Sequence, residues 1–190
     1  MASIRIRKYV LTIGWLLLIQ SCSTFDDESK VAGKSVLIST ESGVVSGRES
    51  RVDGETIFEW FNIPYAEPPV GDLRWRAPRK ILKSNVTVPE RLMTACVQEA
   101  SPYGGVPGEG IVGTEDCLYL DIRAPKRTEK VGIPVMVWIH GGGNVIGSKD
   151  WYDFSRLVAR ENVIVVTINY RLGPLGWFTH PAIQGAQQGL

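Results

Sequence analysis

Chemistry is concentrated in one short segment, His140-Gly141-Gly142-Gly143-Asn144. Successive glycines free the backbone for conformations closed to other residues. They also let a substrate carbonyl approach the N–H groups without meeting a Cβ. Backbone donors aimed at a developing oxyanion typically lower a barrier by about 3–4 kcal/mol each. Two other readings stand beside this one, a plain glycine turn and a phosphate-cradling loop. A phosphate loop wants a Lys and a Ser or Thr at fixed spacing, or G-x-G-x-x-G opening a helix. Residues 141–147 fit neither pattern well. His140 invites the role of catalytic base, but a base needs a nucleophile within reach. A structural ring, hydrogen-bonded to hold the loop together with Gly141, suits the position better. His180, the other histidine, lies in Thr-His-Pro and reads as a turn.

The elements around the loop have two characters. Residues 35–61 read as a small antiparallel meander. Ser42-Gly43 and Asp53-Gly54 supply turns, and 56–61 alternates as a strand should. Residues 62–80 hold Pro64, Pro68, Pro69, Gly71 and Pro78, so they cannot be regular structure. They also hold Tyr65, Trp75 and three arginines, so this stretch must pack on something. Residues 101–113, rich in Gly and Pro, read as an exposed loop inside the span between Cys96 and Cys117. Residues 117–122 alternate, as in a half-buried strand. The continuous apolar runs 135–139 and 163–168 indicate strands buried on both faces, as in α/β sheets. Between them, 153–161 reads as a helix with Asp153 as its cap and Phe154, Leu157 and Val158 on one face. Strand, glycine loop, helix and strand make a βαβ unit with parallel pairing. Ligands of open α/β sheets bind at the carboxyl ends of strands, where the glycine loop lies.

The N-terminus belongs to targeting. Arg5, Arg7 and Lys8 precede an apolar run at 9–19. That run is short of the roughly 20 residues needed to span a bilayer and matches the core of a secretory signal. Leu18-Ile19-Gln20-Ser21-Cys22 resembles the bacterial lipoprotein box, in which the Cys becomes the lipidated first residue. Gln20 departs from the usual pattern, and an ordinary cleaved signal with an incidental Cys22 is the alternative. The expected division is a signal over 1–21, a solvated acidic tether over 22–34 and a partial domain over 35–190. The chain would be exported, as a membrane-anchored lipoprotein or a periplasmic or extracellular protein. Overall charge is +1. Loss of the three signal cations leaves a mildly acidic segment, so no nucleic-acid partner is expected. In an oxidising compartment the remaining pair, Cys96 and Cys117, reads as a disulfide. Two reduced buried thiols are the alternative. No cofactor and no metal are expected.

Five ordered blocks carry a family resemblance. Asn62-Ile63-Pro64-Tyr65-Ala66-Glu67-Pro68-Pro69-Val70-Gly71 resembles G-I-P-Y-A-x-P-P-x-G, with Asn62 in place of the usual Gly. Leu73-Arg74-Trp75-Arg76-Ala77-Pro78 resembles the R-F/W-x-x-P that follows it. Glu115-Asp116-Cys117-Leu118-Tyr119-Leu120-Asp121-Ile122 is similar to E-D-C-L-Y-L-N-I. Trp138-Ile139-His140-Gly141-Gly142-Gly143 and Asn169-Tyr170-Arg171-Leu172-Gly173-Pro174-Leu175-Gly176-Trp177-Phe178 complete the set. Together they resemble the type-B carboxylesterases, the family of the cholinesterases. The resemblance implies the N-terminal part of an α/β-hydrolase fold: a small antiparallel meander, then strands of a central, mostly parallel sheet. It implies Gly142 and Gly143 as oxyanion donors, a Cys96–Cys117 disulfide, and an Arg74–Glu115 ion pair fixing the Pro-rich loop. Asn144 replaces the family's usual aromatic beside the loop.

No serine in the 190 residues has glycine at both −2 and +2. In this fold the triad runs Ser, then Asp or Glu, then His. The expectation is therefore a truncated piece of a serine carboxylesterase, lacking nucleophile, acid and base and inactive alone. Its full-length form would hydrolyse a small-molecule ester. A non-catalytic adhesion relative of the same fold is the alternative. A genuine short protein is disfavoured, because two apolar parallel strands would keep an open edge and aggregate.

Overall fold

A computed structural model describes residues 34–82, 86–87, 92–126 and 132–185. The signal, Cys22 and all but the last residue of the tether lie outside the described residues. The chain opens as a meander of β1 (Ser35–Thr40), β2 (Gly43–Val52) and β3 (Glu55–Pro64), all antiparallel. Asp53 and Gly54 turn β2 into β3 with φ of 51° and 88°, the left-handed pair a tight type I′ hairpin uses. A two-residue strand, β4 (Val86–Thr87), lies parallel to β2. β5 (Gln98–Ser101) and β6 (Val106–Val112) form a separate two-stranded ribbon. β7 (Tyr119–Pro125), β8 (Val135–Ile139) and β9 (Ile164–Ile168) complete the main sheet, in the order β1-β2-β3-β7-β9-β8.

The meander and the later strands are thus one mixed sheet. β7 joins them by pairing antiparallel with both β3 and β9, and β8 lies parallel to β9. The crossover between β8 and β9 is α1 (Ser155–Glu161). Asp153 Oδ1 accepts the Ser155 N–H at 3.0 Å, satisfying a first-turn donor from one position before the residue at the helix boundary. Phe154, Leu157 and Val158 pack with Ile57 and Val165 over one face of the sheet. Two short helices follow, α2 (Gly173–Trp177) and α3 (Pro181–Gly185).

The structure sharpens three expectations. Residues 101–113 are not a simple loop, since most belong to the β5–β6 ribbon. Exposed backbone there satisfies its hydrogen bonds by pairing, with left-handed glycines at 105, 108 and 110 allowing the irregular register. β8 keeps an open face and an open edge among the described residues, as expected of this stretch by itself: Val135, Met136, Val137 and Ile139 are all at least half exposed. It is the outer strand of the described sheet, and α1 packs over β2, β3 and β7 rather than over it. β9 alternates between buried and half-buried. His180 precedes α3, where its Nδ1 accepts the Ala182 N–H at 3.2 Å, with Pro181 as the first helical residue.

The buried phase of β7 holds charge. Asp121 and Arg123 are fully buried there, and each has an ion partner. Arg123 Nε lies 3.3 Å from Glu59 of β3, and its guanidinium sits over the Phe61 ring. Asp121 meets the Lys149 ammonium.

Candidate active site

Topology gathers the interesting residues at one edge of the sheet. The parallel register pairs Ile139 with Ile168, so the carboxyl ends of β8 and β9 lie side by side. The antiparallel register of β7 brings its start, and the end of β3, to the same edge. The glycine loop, Tyr170, Tyr65 and Cys117 therefore converge, although up to 105 residues separate them in sequence.

The loop is held at its entrance by aromatic packing. His140 is buried, stacks on Tyr170 with ring centroids 4.3 Å apart, and receives the Tyr170 hydroxyl on its carbonyl at 2.7 Å. Its Nδ1 is 2.9 Å from the Gly141 carbonyl. That contact requires the proton on Nδ1, which leaves Nε2 an acceptor. Nε2 is buried without a hydrogen-bond partner among the described residues. Burial holds the imidazole pKa below its ordinary value, against the opposing contact with Gly141. A neutral ring pinned in this way orients backbone.

Beyond His140 the backbone turns sharply. Gly142, Gly143 and Asn144 have φ of 109°, 62° and 62°. The Gly142 carbonyl accepts from the N–H groups of Val145 and Ile146, both at 3.1 Å. A Cβ on Gly142 would collide with the Ile146 carbonyl, whereas one on Gly141 or Gly143 would meet open space. Among the described residues none accepts a hydrogen bond from the N–H of Gly142 or Gly143. The Asn144 carbonyl accepts from Gly173 N–H at 2.7 Å, tying the loop to α2.

The exit of the loop is held by groups outside the glycine motif. Gly147 is clasped by the Gln98 carboxamide, and the Ser148 hydroxyl donates to the Thr94 carbonyl at 3.2 Å. The Lys149 N–H donates to Asn169 Oδ1 at 2.7 Å. The Lys149 ammonium lies 2.9 Å from Asp121 and 3.0 Å from Asp150, with 0% of its side chain exposed. Burial raises the Asp121 pKa, opposed mainly by Lys149. Asn62, at a bulge between β3 and β7, has φ of 51°. Asn tolerates that conformation better than most residues do. Its N–H donates to Asp121 Oδ1 at 2.8 Å, and its side chain bonds Leu92 and Thr94. Asn62, Asp121 and Asn169 carried a signal only through their place in the five sequence blocks.

Cys96 and Cys117 form a disulfide, with Cα atoms 5.0 Å apart, beneath the same edge and packed with Ala66, Leu118 and Leu172. Arg74 makes a two-pronged contact with Glu115, at 2.6 and 2.7 Å. The Pro-rich stretch finds its packing partner in the segment after β9. Tyr65 donates to the Asn169 carbonyl at 2.6 Å, Trp75 to the Pro174 carbonyl at 3.0 Å, and Arg171 to the Arg76 carbonyl at 2.9 Å. Trp75 also packs on Phe178. Among the described residues no group of three or more His, Cys, Asp or Glu is placed to hold a metal ion. No described helix is long and apolar enough to cross a membrane.

The mixed sheet, with a glycine loop at the carboxyl end of its parallel pair, has the form of the N-terminal part of an α/β-hydrolase fold. A sequence model of the carboxylesterase family matches residues 34–186. The chain is 35% identical over 186 residues to fumonisin B1 esterase of Sphingopyxis macrogoltabida, covering 96% of this chain and 33% of that one. It is 40% identical over 144 residues to para-nitrobenzyl esterase of Bacillus subtilis, covering 70% and 28%. With cocaine esterase of Oryctolagus cuniculus it shares 39% over 155 residues, covering 76% and 29%. The chain belongs to the carboxylesterase family. It spans about a third or less of the length of these curated relatives.

Proposed function

We propose that the whole protein is a serine-type carboxylic ester hydrolase acting on a small-molecule ester, with the N–H groups of Gly142 and Gly143 as oxyanion donors. The nucleophile, its acid and its base come from residues beyond these 190. The serine hydroxyl attacks the ester carbonyl, and the alcohol leaves from a tetrahedral oxyanion. Water then hydrolyses the acyl-enzyme. His140 and Gly141 support the loop and take no proton from substrate.

One observation carries this reading. Gly141 has no left-handed φ, and a Cβ there would touch nothing within 4 Å. Nothing in the described fold requires glycine at that position. Glycine there leaves the backbone open to close approach by a group from outside the described fold. The N–H groups of Gly142 and Gly143, which no described residue accepts, give that group its partner. The export signal and lipid at Cys22 belong to the same proposal and place the enzyme outside the cytoplasm on a membrane surface.

The whole protein is expected to hydrolyse short p-nitrophenyl esters and to be labelled covalently by a fluorophosphonate probe. A folded protein that does neither overturns the reading and favours a binding relative. Cys22→Ser is expected to abolish incorporation of labelled palmitate. Retained label would overturn the anchor.

A further inference from the structure

Gln98 lies on β5, two residues after Cys96, and is buried. Its carboxamide saturates both backbone groups of Gly147. Nε2 donates to the Gly147 carbonyl at 2.9 Å, and Oε1 accepts the Gly147 N–H at 2.8 Å. Nε2 also donates to the Cys96 carbonyl at 3.0 Å. A side chain thus makes the two-way pairing that a neighbouring strand would normally make. Residues 140–150 belong to no strand or helix, so no ladder fixes them and such contacts decide their position.

The geometry links Gly147 mechanically to the loop. The Gly142 carbonyl receives both Val145 and Ile146 N–H groups, so 142–146 turns as one tight unit. Its entrance is fixed by Tyr170 on His140. Its exit is Gly147, whose φ is 131°. A Cβ at Gly147 would strike the His140 ring and the Gly141 carbonyl. Exit and entrance therefore touch, and a displacement of Gly147 rotates the unit between them. Gln98 is itself mounted on a segment closed by the Cys96–Cys117 bond.

We propose that Gln98 is a positioning residue that sets the direction of the Gly142 and Gly143 N–H groups. The proposal rests on the esterase reading above. The Gln98 side chain is buried and spends its polar atoms on Gly147 and Cys96, so its loss is expected to act on the oxyanion and to spare ground-state binding. The test uses the whole protein, with Gln98→Ala and the isosteric Gln98→Glu. Glu keeps the acceptor for Gly147 N–H and loses the donor toward the Gly147 and Cys96 carbonyls.

Each variant is measured for kcat and KM on a p-nitrophenyl ester, for affinity toward a trifluoromethyl ketone, and for thermal unfolding. The ketone is captured as a tetrahedral oxyanion and reports on the donors. The expected result is a roughly 10- to 100-fold loss of kcat with KM within about twofold, and a matching loss of ketone affinity. Relative to wild type at each pH, Gln98→Glu is expected to recover as the carboxyl protonates and regains one donor. A folded variant of either kind with wild-type kcat and ketone affinity overturns the role of Gln98 and leaves the esterase reading intact. A loss confined to KM also overturns it. Should Gln98→Ala fail to fold, Gln98→Glu decides. A wild-type protein without turnover or probe labelling overturns the esterase reading and this proposal with it.

Discussion

At the scale of single residues, the loop divides into positions the backbone demands and positions it leaves free. Gly142 is demanded: its φ is left-handed and a Cβ would collide with the Ile146 carbonyl. Under the proposed ester hydrolysis by the whole protein, Gly142→Ala is expected to lower kcat by about 10²–10³-fold, read by steady-state kinetics with KM little changed. Asn144 is left-handed and exposed, so Asn144→Gly is expected to keep stability while Asn144→Leu costs about 1 kcal/mol, measured by urea unfolding. His140 gives a signed pH effect. Its folded pKa is held below the ordinary 6.5 by burial. Between those two values the unfolded chain binds the proton that the folded chain refuses. Its stabilising contribution is therefore complete above pH 6.5, declines as pH falls below it, and levels off below the folded pKa. Urea midpoints across that window are expected to decline in wild type and to decline less in His140→Gln.

At the scale of elements, the loop is suspended between the Cys96–Cys117 segment, the start of β7 and the end of β9. The disulfide closes a span of 21 residues, and the chain-entropy model gives such a closure about 3 kcal/mol. Cys96→Ser with Cys117→Ser is expected to lower stability by that order and to loosen Gln98, so activity falls before the protein unfolds on warming. Lys149 is the counter-charge that Asp121 needs in the interior. Lys149→Met leaves that carboxylate buried without its ammonium partner, a change worth about 3–5 kcal/mol and visible as a lowered unfolding midpoint. Little of this scale was legible in the sequence. The disulfide was, because the lipidation expected at Cys22 leaves one pair of cysteines, Cys96 and Cys117. The Gln98–Gly147 clasp was not, because its partners lie 49 positions apart and a glutamine in a short strand carries no pattern of its own. Asp121 and Arg123 stand in the alternation where a surface face would be read, and only their ion partners in other elements explain their burial.

At the scale of the whole molecule, β8 presents Val135, Met136, Val137 and Ile139 to solvent along the outer edge of the described sheet. Unpaired N–H and C=O groups beside exposed apolar side chains form a template for pairing with another chain. Residues 34–190 produced alone are therefore expected to aggregate, and Val137→Lys with Ile139→Lys to reduce that aggregation, as read by light scattering at equal concentration.

The sequence by itself determined the family, the βαβ order and the glycine loop at a strand's carboxyl end. These follow from local composition: runs of β-branched residues, turn dipeptides, and blocks of fixed spacing. It also marked Asn62 as a departure, which a left-handed φ at a bulge then explained. Only the tertiary structure decided that the meander and the later strands form one sheet, that charge lies inside β7, and that a glutamine clasps the exit of the loop. Strand pairing and buried polar contacts join residues far apart in sequence. Their energetics depend on which groups lose water together, and a linear pattern carries no record of that.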